Sequence, residues 1–490
     1  MKTIRSISHP GAHPARCALL FGIALGSFGA DAHAQVDERR IERAIRQTAA
    51  GENFRIMIDP NLSFTERSVL DFGGTASFSF LHLTDSADNA RNLYQPEVTL
   101  FGRVIVDGGH RFFGRIRFQY REFSDGDSFD GDGDEFTQPF HDRYWYELDT
   151  RALAQAHEGR TPETNLNIRV GRQFIDWGAG LTLSDVLFAA RARFESGPFS
   201  LTALAAITPT DESFIDFDAS RNNFNEETER SFFGGMLNYR TERGDEFYAY
   251  GLYQDGRNGV ETPRAALGVQ VDFEYDSLYL GVGSRGTLTN SLLYEGEFVY
   301  ELGESQSDPL RPGPQTDEDI EAWAARAALT YVPDDADNTR WQLEGILASG
   351  DDDRLVSTDT VGGNAPGTDD TGFNAFGFVN TGLAFAPTVS NIAIARAGVS
   401  LFPIRDAEHF RRLQVGGDVF FISKLDSNAP IDEPTSSSSY LGTETDVFVN
   451  YRITSDLAVS ARYGAFFPDT GIQGQSSVRH FIFVGVTLSF

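Results

Sequence analysis

The chain contains very little cysteine and lysine. Its 490 residues include one cysteine, Cys17, and two lysines, Lys2 and Lys424. The segment after Cys17 therefore has no disulfide scaffold, no catalytic thiolate and no thiolate metal site. A long apolar run is also missing after residue 34. This excludes a transmembrane helix from that part of the chain.

The beginning of the chain has the composition of a secretory signal peptide. MKTIRSISHPGAHPARC carries Lys2, Arg5 and Arg16, and the apolar run ALLFGIALGSFGA follows it. The tripeptide AHA then fits a small-residue cleavage site, so we expect cleavage after Ala34. The expected units are a signal peptide (1–34), a periplasmic lead-in (35–70) and the folded domain (71–490). An exported chain without a helical anchor is either soluble or a β-barrel.

Apolar and polar residues alternate in the segments that have the length of a strand. In FFGRIRFQYREF, Phe112 and Ile116 lie on one face, and Arg115 and Arg117 on the other. The final segment, VRHFIFVGVTLSF, alternates in the same way and ends on Phe490. An unpaired apolar edge invites aggregation in a soluble protein. We therefore interpret this segment as a strand that closes a barrel, with lipid on its apolar face.

Alternation and turn residues predict eighteen strands. The predicted strands are 71–82, 94–106, 110–123, 141–150, 165–174, 186–195, 198–207, 230–241, 245–255, 264–286, 290–303, 319–332, 338–349, 389–402, 411–424, 443–453, 456–467 and 478–490. Short turns and long acidic loops then alternate strictly, as in an all-β, up-and-down antiparallel transmembrane barrel with periplasmic turns and extracellular loops. A turn at EYDS, 274–277, would give nineteen strands and break that alternation.

Arginine supplies almost all of the positive charge, and many arginines lie on the polar face of a predicted strand. Facing lipid at the midplane costs each about 2–4 kcal/mol, so we expect them to project into the lumen. The candidates are Arg103, Arg115, Arg117, Arg121, Arg169, Arg191, Arg193, Arg326, Arg396, Arg452 and Arg462. A row of guanidiniums attracts carboxylates and selects anions. Alternatively, they pair with acids on the same face and stiffen the wall; those acids are Glu295, Glu297, Glu344, Asp418 and Asp446.

Several functions are disfavoured. The net charge of −30 argues against non-specific nucleic-acid binding. In DGDSFDGDGDE, Asp130, Asp132 and Asp134 have the spacing of a calcium loop, but Glu135 occupies the position where the sharp turn requires glycine. A solvated loop is the favoured interpretation, and calcium bridging to lipopolysaccharide is the alternative. The histidines show no ligand spacing and no nucleophile–base arrangement is evident, so we predict neither an enzyme nor a cofactor.

Three segments resemble the alginate-export family of outer-membrane proteins. They are LNIRVGRQFIDWG (166–178), with an R-x-G-R-Q pattern, NAFGFVNTGLAFAPTVSNIAIARAGVSLFP (374–403), and the segment from FFISKLDSN to YGAFFP (420–468), with a G-x-E-x-D pattern. The resemblance implies a constricted lumen where arginines alternate with acids and a polyuronate passes outward. The motif positions it carries over are Arg169, Arg172, Gln173, Glu444 and Asp446. Both Arg169 and Arg172 can face the lumen only if a bulge or bend separates them.

The sequence and this resemblance together predict an outer-membrane channel that passes an anionic polysaccharide by passive translocation. Two other functions stay open. One is a general or anion-selective porin for small acidic solutes. The other is a structural or surface-interaction barrel whose acidic loops bind cations. The expected partners are an anionic polysaccharide or small anions, outer-membrane lipid and lipopolysaccharide, and periplasmic proteins of an export complex.

Overall fold

The computed structural model describes most of the chain after the predicted lead-in. The described residues are 63, 67–84, 89–124, 134–137, 141–209, 229–257, 272, 274–308, 311–354, 364–431, 433–473 and 477–490. The predicted signal peptide lies outside them. Among the described residues the only helix is α1 (Thr150–Glu158), and no helix there is long and apolar enough to span a membrane.

The rest of the described architecture consists of antiparallel strands. They are β1 (Ser68–Thr84), β2 (Ala90–Val106), β3 (His110–Phe123), β4 (Glu135–Thr137), β5 (His141–Asp149), β6 (Thr164–Trp177), β7 (Leu183–Ser196), β8 (Phe199–Ile207), β9 (Arg230–Arg240), β10 (Glu246–Gly256), β11 (Tyr275–Thr289), β12 (Leu292–Gln306), β13 (Asp317–Tyr331), β14 (Arg340–Ala348), β15 (Ile392–Leu401), β16 (Leu413–Ser423), β17 (Tyr440–Arg452), β18 (Leu457–Pro468) and β19 (Arg479–Ser489). The three-residue β4 pairs only with β3. The other eighteen pair in chain order, and β19 pairs with β1, which closes the predicted eighteen-stranded barrel.

The two faces of each strand differ as the alternation predicts. On β19, Val484 and Val486 are exposed on the outer face, whereas Phe481 and Phe483 are buried inside. On β3, Phe112 is exposed on the outer face, and the Arg115 side chain, on the inner face, is 12% exposed. The outer apolar rows match a lipid environment, and the inner rows carry the polar chemistry.

The region around residue 275 decides the strand count. β11 begins at Tyr275 and not at 264; residues 264–271 lie outside the described part of the chain. From Ser277 onward β11 pairs with β10 without a break, and Tyr275 already pairs with Ser305 of β12. There is consequently no turn within 275–277, and the eighteen-strand alternative is correct. Two ends follow from it. The end named here the short-turn end carries the turns 107–109, 197–198, 241–245, 290–291, 332–339, 402–412 and 453–456, and the opposite end is named the long-loop end.

Helix α1 was not among the predicted elements, although its end signals are present in the sequence. The Asp149 side chain accepts the Ala152 N–H at 3.0 Å, which caps the first turn. Gly159, with φ of 64°, ends the helix in the left-handed conformation. The helix covers the short-turn end beside β6.

Lys424, the only lysine among the described residues, fixes the loop that joins β16 to β17. Its ammonium donates to the carbonyl oxygens of Ser427 and Ser436, at 2.5 and 2.7 Å, and to Thr435 Oγ1 at 3.2 Å. Only 4% of this residue is exposed. Three N–H groups on one nitrogen can reach oxygens on different sides, whereas a planar guanidinium cannot copy that arrangement.

We expect Lys424→Met to release this loop, and Lys424→Arg not to restore it. Each lost charged hydrogen bond is worth about 1.5–3 kcal/mol, so amide exchange of residues 424–439 should accelerate at least about tenfold. Hydrogen exchange with mass spectrometry in detergent measures this. Arg405→Met, which removes an exposed arginine bonded to one carbonyl at the opposite end, is the control. Full protection in Lys424→Arg would contradict the geometric argument.

Candidate functional site

The connection between β14 and β15 turns back into the barrel. Its residues 371–391, named here the inner loop, pack in one apolar cluster with residues of several strands, among them β9, β11 and β18. Phe376 exchanges backbone hydrogen bonds with the segment before β7, donating to the Thr182 carbonyl at 2.9 Å. Its ring lies 5.4 Å from that of Phe232, and Phe373 lies 6.4 Å from Tyr279. One side of the lumen is therefore filled like the core of a soluble protein.

Buried carboxylates on the wall hold the inner loop. Glu444 of β17 accepts the backbone N–H groups of Leu383, Ala384 and Phe385, the last two at 2.6 and 2.9 Å. Glu301 of β12 accepts the Asn374 N–H at 3.0 Å. Both carboxylates are fully buried. Without them these N–H groups would stay unsatisfied inside the barrel, so each carboxylate anchors one segment of the loop.

A third carboxylate holds a second inward segment. Glu297 of β12 accepts the hydroxyls of Tyr248 and Tyr250 at 2.6 and 2.9 Å, and the Ala179 N–H between β6 and β7. The carbonyl of Gly180 in turn accepts the Phe378 N–H at 2.8 Å. The two inward segments thus support each other on the filled side of the lumen.

The other side of the lumen is an open cavity of about 1760 Å³. Its lining comes from β1–β3, β5, β6 and β14–β19, with Asn380 and Leu383 of the inner loop at its border. Residues of the short-turn end, such as Arg412 and Ser455, also line it. The cavity therefore extends from the inner loop to the short-turn end.

Arginine dominates the charge of this lining. The eleven lining arginines are Arg103, Arg111, Arg115, Arg117, Arg169, Arg340, Arg396, Arg411, Arg412, Arg452 and Arg462. The five lining acids are Asp71, Glu97, Asp418, Asp446 and Asp456. The chain as a whole has a net charge of −30, so the cavity has the opposite sign to the molecule.

Ion pairs fix the arginines on the wall formed by β2, β3, β5 and β6. Arg103 binds Asp71 at 2.5 Å, and Arg169 binds Glu147 through Nε at 2.8 Å. Asp142 bonds Arg115 and lies at a β-bulge, because Arg115 and Ile116 pair with Arg143 and His141 and skip it. A bulge re-aims one side chain, and here it directs a carboxylate to the arginine row.

A ladder of alternating charges crosses five neighbouring strands, β12 to β16. Arg326 binds Glu295 at 2.9 Å and Glu344 at 2.5 Å. Arg396 binds the same Glu344 at 2.8 Å and Asp418 at 2.9 Å. In this ladder the acids of the inner face pair with the arginines and stiffen the wall, which is the structural alternative that the sequence left open.

A second group of lining arginines makes no ion pair with any residue that the structure describes. It consists of Arg340, Arg411, Arg412, Arg452 and Arg462. Arg452 bonds only the Ser455 carbonyl, at 2.9 Å. The first four lie at the short-turn end and are named here the rim arginines. Because no described acid forms an ion pair with them, their guanidiniums can contact whatever enters there.

The predicted site residues divide into two groups. Those that line the cavity are Arg103, Arg115, Arg117, Arg169, Arg396, Arg452, Arg462 and Asp446. Those that do not are Arg121, Arg172, Gln173, Arg191, Arg193, Arg326 and Glu444.

Residues of the second group make local contacts on the wall. Arg121 binds Glu135 of β4 at 3.3 Å, and Arg193 binds Glu195 at 3.1 Å. The Gln173 amide donates to a β7 carbonyl at 2.9 Å. The Arg121 and Gln173 contacts join neighbouring strands, whereas the Arg193–Glu195 pair lies within β7.

Arg172 lies beside an aromatic ring on the wall. The Arg172 guanidinium lies 5.6 Å from the centre of the Phe188 ring, and the pairing of β6 runs through Arg169 and Arg172 without a register shift. Gly171 between them has φ of 137°.

Of the calcium candidates, Asp134 accepts the Phe123 N–H at 2.8 Å, whereas Asp130 and Asp132 lie outside the described residues.

Sequence reasoning missed several lining residues. Arg340, Arg411 and Arg412 lie at strand ends or in a turn, where alternation gives no face. It also missed Phe101 and Phe113, which line the cavity. The sequence did contain a signal for these two phenylalanines, because each lies on the same face of its strand as neighbouring arginines.

Comparison with known proteins identifies the family. The model of the family described as "Alginate export" matches residues 152–485. The chain belongs to the alginate export family. The family and the fold are those of outer-membrane transport channels. Among curated proteins, no sequence matches the chain.

This alginate export family barrel has the fold of several outer-membrane proteins from Pseudomonas aeruginosa. OccK2 (OpdF), solved in complex with glucuronate, has a TM-score of 0.51 at 13% identity and covers 86% of this chain and 98% of its own. OpdK has a TM-score of 0.50 at 10% identity, with 86% and 99% covered. OccK8 (OprE) has 0.50 at 10% identity, with 88% and 99% covered. At these identities the likeness shows the fold alone.

Proposed function

We propose that this barrel passes an anionic polysaccharide of the polyuronate type through the arginine-rich cavity. Entry is at the short-turn end, which in outer-membrane barrels faces the periplasm. The observation that carries the proposal is the lining charge, with eleven arginines against five acids in a chain of net charge −30. A lumen of this sign attracts polyanions and replaces part of the water that their carboxylates lose.

The pattern of ion pairs favours passage of a polymer through the cavity over tight binding inside it. The rim arginines, which form no ion pair with a described acid, can bind carboxylates where the polymer enters. Deeper residues such as Arg115 and Arg396 are already bound to acids, which weakens their hold on a substrate carboxylate. Each guanidinium has five donors, so N–H groups remain available beside the ion pair. Many weak sites in sequence let a chain slide, as conduction requires.

The size of the cavity also supports an extended occupant. Its volume of about 1760 Å³ exceeds the roughly 300–1,000 Å³ typical of small-molecule sites. A channel for small acidic solutes is the second candidate. Asn380 and Leu383 of the inner loop border the cavity away from the rim arginines, so the inner loop limits the space for a long polymer there. The OccK2 complex with glucuronate gives a precedent on this fold.

Planar-bilayer recording tests the proposal. We expect an anion-selective current that a polyuronate blocks, and that a neutral polysaccharide of equal length does not block. The block should weaken as salt rises, because screening shortens the reach of the arginines. Passage of monomeric uronate without block by the polymer would favour the second candidate. An absence of current would contradict both and leave the structural-barrel alternative.

A further inference from the structure

Three aromatic rings form a continuous row on the wall of the cavity. They belong to Phe101 of β2, Phe113 of β3 and Trp145 of β5. The centres of the first two rings are 6.3 Å apart with a 22° angle between planes, and those of the last two are 5.3 Å apart at 20°. All three are half-buried and line the cavity. We call this set the aromatic row.

Arginines accompany each ring of the row. Arg103 is the direct cross-strand partner of Phe113, and Arg115 is the partner of Phe101. The Arg169 guanidinium lies 4.1 Å from the centre of the Trp145 ring. Asp71, Asp142 and Glu147 hold these three guanidiniums in place.

The rings of the aromatic row face the cavity and not lipid. Phe112, beside Phe113 in the chain, faces outward and is 48% exposed, as lipid contact requires. Phe113 and its two neighbours instead leave apolar surface in an aqueous cavity, which is unfavourable by about 25 cal/mol for each Å². All three rings line the cavity, so their apolar surface is open to an occupant. A ligand with an apolar face would remove this exposed area from water.

Pyranose rings of acidic sugars have the matching chemistry. One face of such a ring presents C–H groups, which pack on an aromatic face, while its carboxylate lies at the edge of the ring. On the aromatic row, a sugar stacked on Phe113 would direct that carboxylate toward the neighbouring Arg103 guanidinium. A polyanion without sugar rings can contact the arginines but has nothing to stack on the row.

We propose that the aromatic row is a binding subsite for the rings of an acidic sugar chain. The subsite rests on the proposed function and deepens it, because it selects carboxylated sugars over other polyanions of equal charge. The arginines recognise charge and the rings recognise the sugar. Successive rings at stacking distance let one sugar unit move to the next platform as the chain advances.

The test compares two blockers of the single-channel current, a uronate oligomer and an oligoglutamate of equal charge. In Phe113→Leu and Trp145→Leu, which keep an apolar side chain but remove the π-face, we expect the uronate residence time to fall about three- to tenfold. Oligoglutamate block should not change. Trp145→Phe, which keeps a ring, should retain most of the residence time, and Phe112→Leu on the outer face is the matched control.

The outcomes separate the subsite from the proposed function. Unchanged uronate residence in both leucine variants, with block of the unmodified channel intact, overturns the aromatic subsite and leaves polyuronate passage standing. An equal loss for uronate and oligoglutamate also overturns it, since that result means displaced arginines. If uronate never blocks the unmodified channel, polyuronate passage itself fails.

Discussion

Replacing Arg340, Arg411 and Arg412 with glutamate is expected to turn the anion-selective channel into a cation-selective one at low salt. The three side chains line the short-turn end of the cavity and have no described ion-pair partner. Their reversal therefore changes the mouth by six charge units without stranding a buried acid. The Debye length is about 30 Å at 0.01 M salt and about 10 Å at 0.1 M, so the effect should shrink as salt rises. The reversal potential in a salt gradient measures it.

The same variant should also change the kinetics of polyuronate block in a directional way. Electrostatic steering raises association rates by about 10- to 1000-fold, so block from the short-turn side should slow at least about tenfold. Block from the long-loop side should change little. Arg405→Glu is the control, because Arg405 is exposed on the same turn, bonds the Ala336 carbonyl and does not line the cavity. Equal effects of both variants would show that general surface charge, not the rim, governs entry.

Removing the Glu444 carboxylate should open the channel. In Glu444→Ala the backbone N–H groups of Leu383, Ala384 and Phe385 lose their acceptor inside the barrel. Each unsatisfied group costs about 1–3 kcal/mol, so this part of the inner loop should leave its position beside the cavity. We expect single-channel conductance to rise at least about twofold and the current to become noisy.

Limited proteolysis supplies the structural readout for this variant. Cleavage within the inner loop should become fast in Glu444→Ala, while the strands stay protected. Glu321→Ala is the matched control, because Glu321 is an exposed glutamate on β13. A Glu444→Ala channel with normal conductance and an uncleaved inner loop would mean that the remaining contacts, such as the stacking of Phe385 on Phe466 at 4.2 Å, suffice to hold it.

The sequence predicted the barrel well because the residues of each single strand already show which side chains face lipid and which face the lumen. Period-2 alternation in a segment such as 112–123 assigns every side chain to a face, and the lipid and water on the two sides enforce that assignment. Boundaries were less reliable. β1 begins at Ser68 rather than at 71, and β15 begins at Ile392 rather than at 389. Pairing with the neighbouring strand, which the sequence of one strand does not encode, decides where each strand ends.

The candidate site was predicted only in part, because it depends on contacts between distant segments. The family resemblance predicted Glu444 at the constriction, but its partners are N–H groups some sixty residues earlier in the chain. Asp142 reaches Arg115 only because of a bulge. The inner loop, NAFGFVNTGLAF, is rich in glycine and phenylalanine, and no periodicity indicates that it turns inward. Alternation locates arginines on a face but cannot tell which acid neutralises which arginine.

In this barrel the number of strands does not by itself set the width of the lumen, because residues 371–391 turn inward. In a simple barrel the bore follows from the number of strands. Here the inner loop, together with the inward segment between β6 and β7, fills part of the lumen and sets how much room is left. Evolution or engineering can therefore retune the aperture by lengthening or shortening the inner loop, while the lipid-facing wall and its assembly stay untouched.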